Sequence, residues 1–176
     1  RVTRKDIQEH IDSKKQSSLT NTQTNVDITE RIPLSPVRRI IADNMTRSAN
    51  LIPEAWSTVE IDVTELVILR ESAKTEFQEA EGIKLTYMPF IVQSVASALR
   101  DHPIVNSSWD SDSIILKKQI NIGIAVAAPK GLVVPVIKLA DTMDLKMLAR
   151  TIDDLVKRAR SDKLELENVR GGTFTV

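Results

Sequence analysis

Histidine and cysteine, whose side chains often act as bases or nucleophiles, are scarce or missing in this 176-residue chain. It has no cysteine, which excludes disulfides, thiolate metal sites and thiol nucleophiles. Its two histidines, His10 and His102, do not have the spacing of a metal-binding set. His10 falls on the polar side of a predicted short helix, and His102 falls at the end of another, where the helix dipole favours an imidazolium. We expect His10 to be solvated and His102 to be structural, with a functional role for His102 as the alternative.

The remaining polar groups do not complete a catalytic set. Gly171-Gly172 precedes a predicted strand, so it cannot present the N-terminal amides of a helix to a phosphate. Asp144 is explained as a helix cap, and the basic run at 157–160 as a solvated helix end. Glu60 and Asp62 are expected on an exposed strand face. The residues by themselves therefore predict a globular α+β domain and name no reaction.

Composition excludes several function classes. The 24 basic and 24 acidic residues give a net charge of +0, so no overall field favours nucleic acid or an anionic membrane. Aromatic residues make up 3% of the chain, too few for a base-stacking surface. No apolar run approaches the ~18 residues of a membrane-spanning helix. The length predicts one main domain with an appendage.

Three segments are predicted along the chain. Residues 1–12 form a short helix that would be marginal alone in water. Residues 13–30 are rich in Ser, Thr, Asn, Gln and Lys, which is the composition of a flexible linker. The main domain starts near residue 31 and continues to residue 176.

The main domain is predicted to mix helices and short strands in an order that is not a βαβ alternation. The predicted helices are 36–51, 64–79, 89–101 and 145–159, and the predicted strands are 55–62, 104–109, 114–116, 120–127, 132–137 and 173–176. This order predicts an α+β fold with helices layered on a mixed or antiparallel sheet.

Burial and strand pairing can also be predicted. The arms of the hairpin at 120–137 are apolar at nearly every position, so both of their faces should be covered. Pro135 lacks an N–H and indicates a bulge or a sheet edge. The final residues resemble a hairpin that is cut short, so we expect part of the working molecule to lie beyond Val176. The first helix of the domain has an apolar stripe that should be buried: Val37, Ile40, Ile41 and Met45.

Six short blocks occur in order through the main domain: RIIADNM at 39–45, KLTYMPF at 84–90, HPIVN at 102–106, NIGIAV at 121–126, GLVVPVI at 131–137 and GGTFT at 171–175. Together they resemble the dihydrolipoamide acyltransferases, the core subunits of 2-oxo acid dehydrogenase complexes, and most of all the branched-chain type. The segment RVTRKDI at 1–7 resembles the end of the peripheral-subunit-binding domain of the same proteins.

This resemblance implies a fold like that of chloramphenicol acetyltransferase and a core built from homotrimers. It implies acyl transfer between dihydrolipoamide and coenzyme A, with the lipoyl group carried on a domain absent from this chain. The implied partners are the 2-oxo acid decarboxylase and dihydrolipoamide dehydrogenase of the complex, with neither nucleic acid nor membrane among them. The implied location is the bacterial cytoplasm, or the mitochondrial matrix in a eukaryote.

Two coenzyme-A-binding residues are implied by the same resemblance. Arg70 matches a family arginine that contacts coenzyme A, and a guanidinium suits a phosphate through paired hydrogen bonds. The alternative is an exposed helix arginine. Thr86 matches a Ser/Thr that bonds coenzyme A, and its alternative role is to cap the helix that follows.

The sequence departs from the family where the chemistry is concentrated. The family's catalytic histidine lies in an Asp-His-Arg-x-x-x-Gly motif that these residues lack, and His102 matches a non-catalytic position. The oxyanion donor of the family follows directly after the position of Val176. We therefore assign no catalytic residue here. Glu54 stands where a histidine is usual, and Ala127 stands where some members carry an aspartate that contacts coenzyme A, so that contact is expected to be lost.

Two hypotheses from different classes follow. The first is the N-terminal part of an acyltransferase catalytic domain, which would be inactive as an isolated fragment. The second is a non-catalytic assembly or binding subunit that keeps the acyltransferase fold. A free-standing acetyltransferase of the chloramphenicol type is a third possibility, but residues 1–30 have no place in it.

Overall fold

The computed structural model describes residues 32–129 and 131–176. The chain divides into two units, Arg1–Val59 and Glu60–Val176. The predicted helix at 1–12, the predicted linker at 13–30 and His10 lie outside the described residues. Among the described residues, no helix combines the length and the apolar character that crossing a membrane requires.

The first unit contains helix α1, Pro36–Leu51. Its start is the predicted one, because the Ser35 hydroxyl oxygen accepts a hydrogen bond from the Arg38 N–H at 3.3 Å and Pro36 occupies the first turn. The prediction of a buried stripe was wrong for Ile40, Ile41 and Met45, which are 49–61% exposed. An apolar stripe shows which face of a helix could be buried. That face is buried only if another part of the protein packs against it. The side chain of Val37 is not described.

The predicted strand at 55–62 was also wrong. Residues 52–63 form no strand, and Trp56 is 90% exposed. Alternation of residue types shows that a segment could fit a sheet, but a strand exists only where a neighbour accepts its backbone hydrogen bonds. Among the described residues, none provides that neighbour for this segment.

Among its described residues, the second unit contains three α-helices and seven short strands. The helices are α2 (Thr64–Glu81), α3 (Met88–Asp101) and α4 (Leu145–Arg160). The strands are β1 (Ser107–Asp110), β2 (Ser113–Leu116), β3 (Ile122–Gly123), β4 (Val126–Ala128), β5 (Gly131–Val133), β6 (Val136–Ile137) and β7 (Phe174–Thr175). The four helices predicted for the main domain are thus all present, including α1.

The strands form one mixed sheet and two hairpins. In the sheet, β3 lies between β6, to which it is antiparallel, and β7, to which it is parallel. Strands β1 and β2 form one antiparallel hairpin, and β4 and β5 form the other. The final strand therefore pairs in parallel with β3 rather than in a hairpin. The predicted α+β class with a mixed sheet is confirmed.

Helices α3 and α4 pack against each other and cover the mixed sheet. Helix α4 forms where predicted, because Asp144 caps it with a carboxylate oxygen 2.7 Å from the Met147 nitrogen and its apolar residues recur at helical spacing. The shared core is built from Val92, Ala96 and Leu99 of α3, Ile122 and Ile137 of the sheet, and Leu148, Ile152, Leu155 and Ala159 of α4.

Three local predictions need adjustment. The strand expected from residue 104 begins at Ser107, because Pro103–Val105 forms a 3-10 turn. Strands β3 and β6 are buried as expected, but Leu132 of β5 is 68% exposed, so the outer hairpin is not covered on both faces. Pro135, predicted at a bulge or a sheet edge, lies in the gap between β5 and β6, outside both strands.

Candidate functional site

Arg70 lies on the inward side of α2 and contacts the loop that follows this helix. Its side chain is 24% exposed. Its Nε atom donates a hydrogen bond to the carbonyl oxygen of Leu85 at 2.9 Å. Its guanidinium carbon lies 5.0 Å from the ring centroid of Tyr87, within the range of a cation–π contact. Arg70 is therefore fixed on two sides, which an exposed helix arginine would not be.

A short charge chain completes the surroundings of Arg70. Glu71 forms ion pairs with both Arg70 and Lys74. The hydrogen bond from the Lys74 ammonium lowers the pKa of the Glu71 carboxyl below its usual value, and the charges of Lys74 and Arg70 act in the same direction. Glu71 is thus ionised at neutral pH, so one edge of the Arg70 guanidinium faces a permanent negative charge.

The loop between α2 and α3 presents Thr86 to solvent. Gly82 ends α2 in the left-handed conformation, with φ of 72°, and its N–H donates to the carbonyl of Gln78. Leu85 is then buried in the core, at 2% exposed, while Thr86 is exposed. Helix α3 begins at Met88 without a side-chain cap, so Thr86 does not have the capping role considered above. Its hydroxyl has no partner in the part of the chain that the structure describes.

Two depressions flank this loop. The first, called here the arginine cleft, has a volume of about 510 Å³ and is lined by Arg70, Lys74, Gln78 and Lys84, among others. The second, the threonine groove, has a volume of about 560 Å³ and contains Thr86. Gln78 and Lys84 line both. The structure thus places Arg70 and Thr86 in adjoining depressions, on either side of one lysine.

The threonine groove combines an apolar floor with a cationic rim. Its floor includes Ile124, Val126, Ile152 and Val156. Its rim carries three basic residues, Lys84, Lys157 and Arg160, and one acidic residue, Asp153. Lys157 is paired with Asp153 at 2.6 Å. Within the described residues, Lys84 and Arg160 have no carboxylate partner. This arrangement suits a ligand that carries anionic groups on an otherwise uncharged body.

Neither depression contains a histidine. His102 is the exposed residue that ends α3, where its backbone N–H donates to the carbonyl of Ala98 at 2.8 Å. It lines neither the arginine cleft nor the threonine groove. Within residues 32–129 and 131–176, no group of three or more acidic or histidine side chains is placed to hold a metal ion.

Sequence reasoning missed several lining residues. Lys157 and Arg160 had been interpreted as a solvated helix end, although they border the threonine groove. Lys84 lies inside the KLTYMPF block at 84–90, but nothing in that block indicates that it borders both depressions. No local pattern distinguishes these side chains from ordinary surface residues, because their shared location depends on how α4 packs beside the loop.

Comparison with known proteins defines the class. The family model for the catalytic domain of 2-oxoacid dehydrogenase acyltransferases matches residues 26–176. This chain belongs to that family. It is 48% identical over 147 residues to the lipoamide acyltransferase component of the branched-chain alpha-keto acid dehydrogenase complex of Bacillus subtilis, covering 84% of this chain and 35% of the relative.

Other relatives are more distant but match along more of the chain. The succinyltransferase component of the 2-oxoglutarate dehydrogenase complex of Rickettsia conorii is 34% identical over 176 residues, covering 100% of this chain and 45% of the relative. This chain spans less than half the length of both curated relatives.

Solved structures agree on the fold. A probable dihydrolipoamide acetyltransferase from Listeria monocytogenes matches with a TM-score of 0.80 and 45% identity, over 85% of this chain and 64% of that one. A truncated catalytic core from the 2-oxoacid dehydrogenase complex of Thermoplasma acidophilum matches with a TM-score of 0.75 and 38% identity, over 84% of this chain and 67% of that one. The predicted fold, that of chloramphenicol acetyltransferase-like catalytic cores, is confirmed.

Proposed function

We propose that this chain is part of a dihydrolipoamide acyltransferase, which transfers an acyl group between dihydrolipoamide and coenzyme A in a 2-oxo acid dehydrogenase complex. The observation that carries the proposal is the family match over residues 26–176. The identity of 48% to a branched-chain relative, against 40% to an acetyltransferase and 34% to a succinyltransferase, supports a branched-chain acyl group.

Coenzyme A is the proposed ligand of the two depressions. It carries phosphate groups at one end and an uncharged arm that ends in a thiol. The cationic rim formed by Lys84 and Arg160 suits the phosphates, and the apolar floor of the threonine groove suits the arm. The Thr86 hydroxyl, which has no partner among the described residues, is available to hydrogen-bond this ligand. Arg70 borders the same region through the arginine cleft.

The chemical step needs a base for the attacking thiol and donors for the oxyanion of the tetrahedral intermediate. The two depressions contain no histidine that could act as that base. We assign no catalytic residue to this chain, and residues 1–176 alone are expected to have negligible transferase activity. A base and an oxyanion donor would have to come from groups other than those that line the two depressions.

The partners follow from the proposed complex. The acyl group arrives on a lipoyl group carried by a separate domain, and a 2-oxo acid decarboxylase and dihydrolipoamide dehydrogenase act before and after the transfer. The core is proposed to be built from homotrimers, to which residues 1–12 would add the end of a subunit-binding domain. The proposed location is the bacterial cytoplasm, or the mitochondrial matrix in a eukaryote.

The test is coenzyme A binding and acyl transfer by the protein that contains these residues. Thr86→Val removes the hydroxyl and keeps the shape of the side chain, so coenzyme A should bind about tenfold more weakly, the factor expected for one hydrogen bond. Thr46→Val, an exposed change in α1, is the matched control and should have no effect. A protein that does not bind coenzyme A would refute the proposal. A protein that binds it without transferring acyl groups would support the assembly-subunit alternative.

A further inference from the structure

Arg70 contacts both chain neighbours of Thr86. It donates from Nε to the carbonyl oxygen of Leu85, the residue before Thr86, at 2.9 Å. Its guanidinium carbon lies 5.0 Å from the ring centroid of Tyr87, the residue after it. These contacts reach 15 and 17 residues along the chain, so they are tertiary contacts between α2 and the loop.

The guanidinium of Arg70 is largely engaged by the protein. One edge is bonded to the Leu85 carbonyl, another faces the Glu71 carboxylate, and the face is covered by the Tyr87 ring. A guanidinium binds a phosphate best through two parallel N–H bonds from one free edge. Direct phosphate binding by Arg70 would therefore compete with the Glu71 ion pair.

The contacts with Arg70 restrain the loop between α2 and α3 at the residues that flank Thr86. Thr86 lies five residues after the last residue of α2 and two residues before α3, and Gly82 at the start of this loop is in a left-handed conformation. Leu85 is anchored in the core at 2% exposed, but the exposed Thr86 has no hydrogen bond of its own among the described residues. The orientation of its hydroxyl therefore depends on how its two neighbours are held.

We propose that Arg70 is a positioning residue, which holds Leu85 and Tyr87 so that the Thr86 hydroxyl is correctly placed for coenzyme A, and that Lys84 and Arg160 supply the positive charge for its phosphates. This inference rests on the proposed function of the site. It differs from the role implied by the family resemblance, in which Arg70 itself contacts coenzyme A.

A ligand series separates the two roles. Dissociation constants are measured by calorimetry for coenzyme A, for dephospho-coenzyme A and for pantetheine, which lacks phosphates. Arg70→Met in the complete protein should weaken all three by the same factor, about tenfold, because each loses the Thr86 contact. The matched control is Arg158→Met, which removes an exposed arginine paired with Asp154 on α4 and should change none of them. A loss confined to the phosphate-bearing ligands would overturn the proposal.

A double-mutant cycle gives an independent readout. If Arg70 acts through Thr86, adding Arg70→Met to Thr86→Val should weaken coenzyme A binding by less than twofold beyond Thr86→Val alone. Additive effects of the two changes would contradict the proposal. Tyr87→Leu should reproduce the loss seen with Arg70→Met, and Tyr87→Phe, which keeps the ring, should bind as the unaltered protein does.

A further variant separates loss of coenzyme A binding from loss of folding. If Arg70→Met unfolds, Arg70→Lys decides the question, because it keeps the charge but cannot make the planar contact with Tyr87. A positioning role predicts weaker binding of all three ligands by Arg70→Lys, whereas near-normal binding would overturn it. If the unaltered protein does not bind coenzyme A, the proposed function itself is refuted. If the unaltered protein binds it and Arg70→Met binds it equally well, only the positioning role is refuted.

Discussion

The side-chain amide of Asn121 donates a hydrogen bond to the carbonyl oxygen of Gly171 at 2.8 Å, across 50 residues of chain. Its amide oxygen accepts from the Leu139 N–H at 2.9 Å, and its backbone carbonyl accepts from the Thr173 N–H at 2.8 Å. Asn121 is 5% exposed. One buried amide thus joins the segments that precede β3, follow β6 and precede β7.

Replacing Asn121 should destabilise the domain strongly. Asn121→Ala removes two part-buried hydrogen bonds, those to the Leu139 N–H and the Gly171 carbonyl, which should lower the free energy of unfolding by about 1–3 kcal/mol. Urea denaturation measures this. The control is Asn50→Ala, since Asn50 is exposed on α1 and its side chain, within the described part of the chain, bonds only the Thr46 carbonyl of its own helix. If both changes lowered the free energy of unfolding equally, the Asn121 side chain would have no special role in stability.

The packing of α4 can be tested with two adjacent residues. Leu148 is fully buried at 0% exposed, whereas Met147 is 51% exposed. Leu148→Ala should lower the free energy of unfolding by about 2–5 kcal/mol, because it removes buried apolar volume and leaves a cavity. Met147→Ala should change it by less than about 1 kcal/mol. Thermal unfolding followed by circular dichroism distinguishes the two variants. Similar losses of stability would mean that Leu148 is not the residue that α4 buries in the core.

Glu81 links the end of α2 to α4. Its side chain is 6% exposed and forms ion pairs with Arg150 and with Lys146, the latter at 3.5 Å. Both basic partners are about two-thirds exposed, so solvent screens these pairs. Glu81→Gln should therefore cost only about 1 kcal/mol, and the loss should shrink in high salt. A cost that does not change with salt would argue against an ionic contribution.

The ionisation of Glu71 should depend on Lys74. The hydrogen bond from Lys74 lowers the pKa of Glu71 below the ordinary value of 4.5 in the folded protein. Because the folded pKa is the lower one, the resulting stabilisation is present above pH 4.5 and is lost as the pH falls through the folded pKa. NMR titration of the side-chain carbonyl carbon should show a midpoint below 4.5 that rises in Lys74→Met. An unchanged midpoint in Lys74→Met would refute the assigned cause.

Local signals in the sequence predicted the helices well. Ser35-Pro36 and Asp144 are caps whose chemistry acts within three residues, so the starts of α1 and α4 were correct. Gly82 ended α2 as expected, because the residue that ends this helix has a left-handed backbone conformation, which glycine adopts readily. The strand expected at 55–62 was wrong, since strand formation depends on a partner that residue types along the segment do not specify.

The site was predicted in part. The resemblance identified Arg70 and Thr86 as members of one binding region, and the structure places them in adjoining depressions. It could not show that the Arg70 guanidinium is already engaged by Leu85 and Tyr87. Their roles in coenzyme A binding remain predictions that the experiments above would test.

The sequence by itself determined the family, the helix caps and the α+β class, because these depend on ordered motifs and on contacts between near neighbours. Only the tertiary structure decided which apolar stripes are covered, that β7 lies parallel to β3, and that Lys84 and Arg160 border one groove. Those features arise where segments distant in sequence meet. The free energy of such a contact depends on both partners and on the water excluded between them, which neither segment encodes alone.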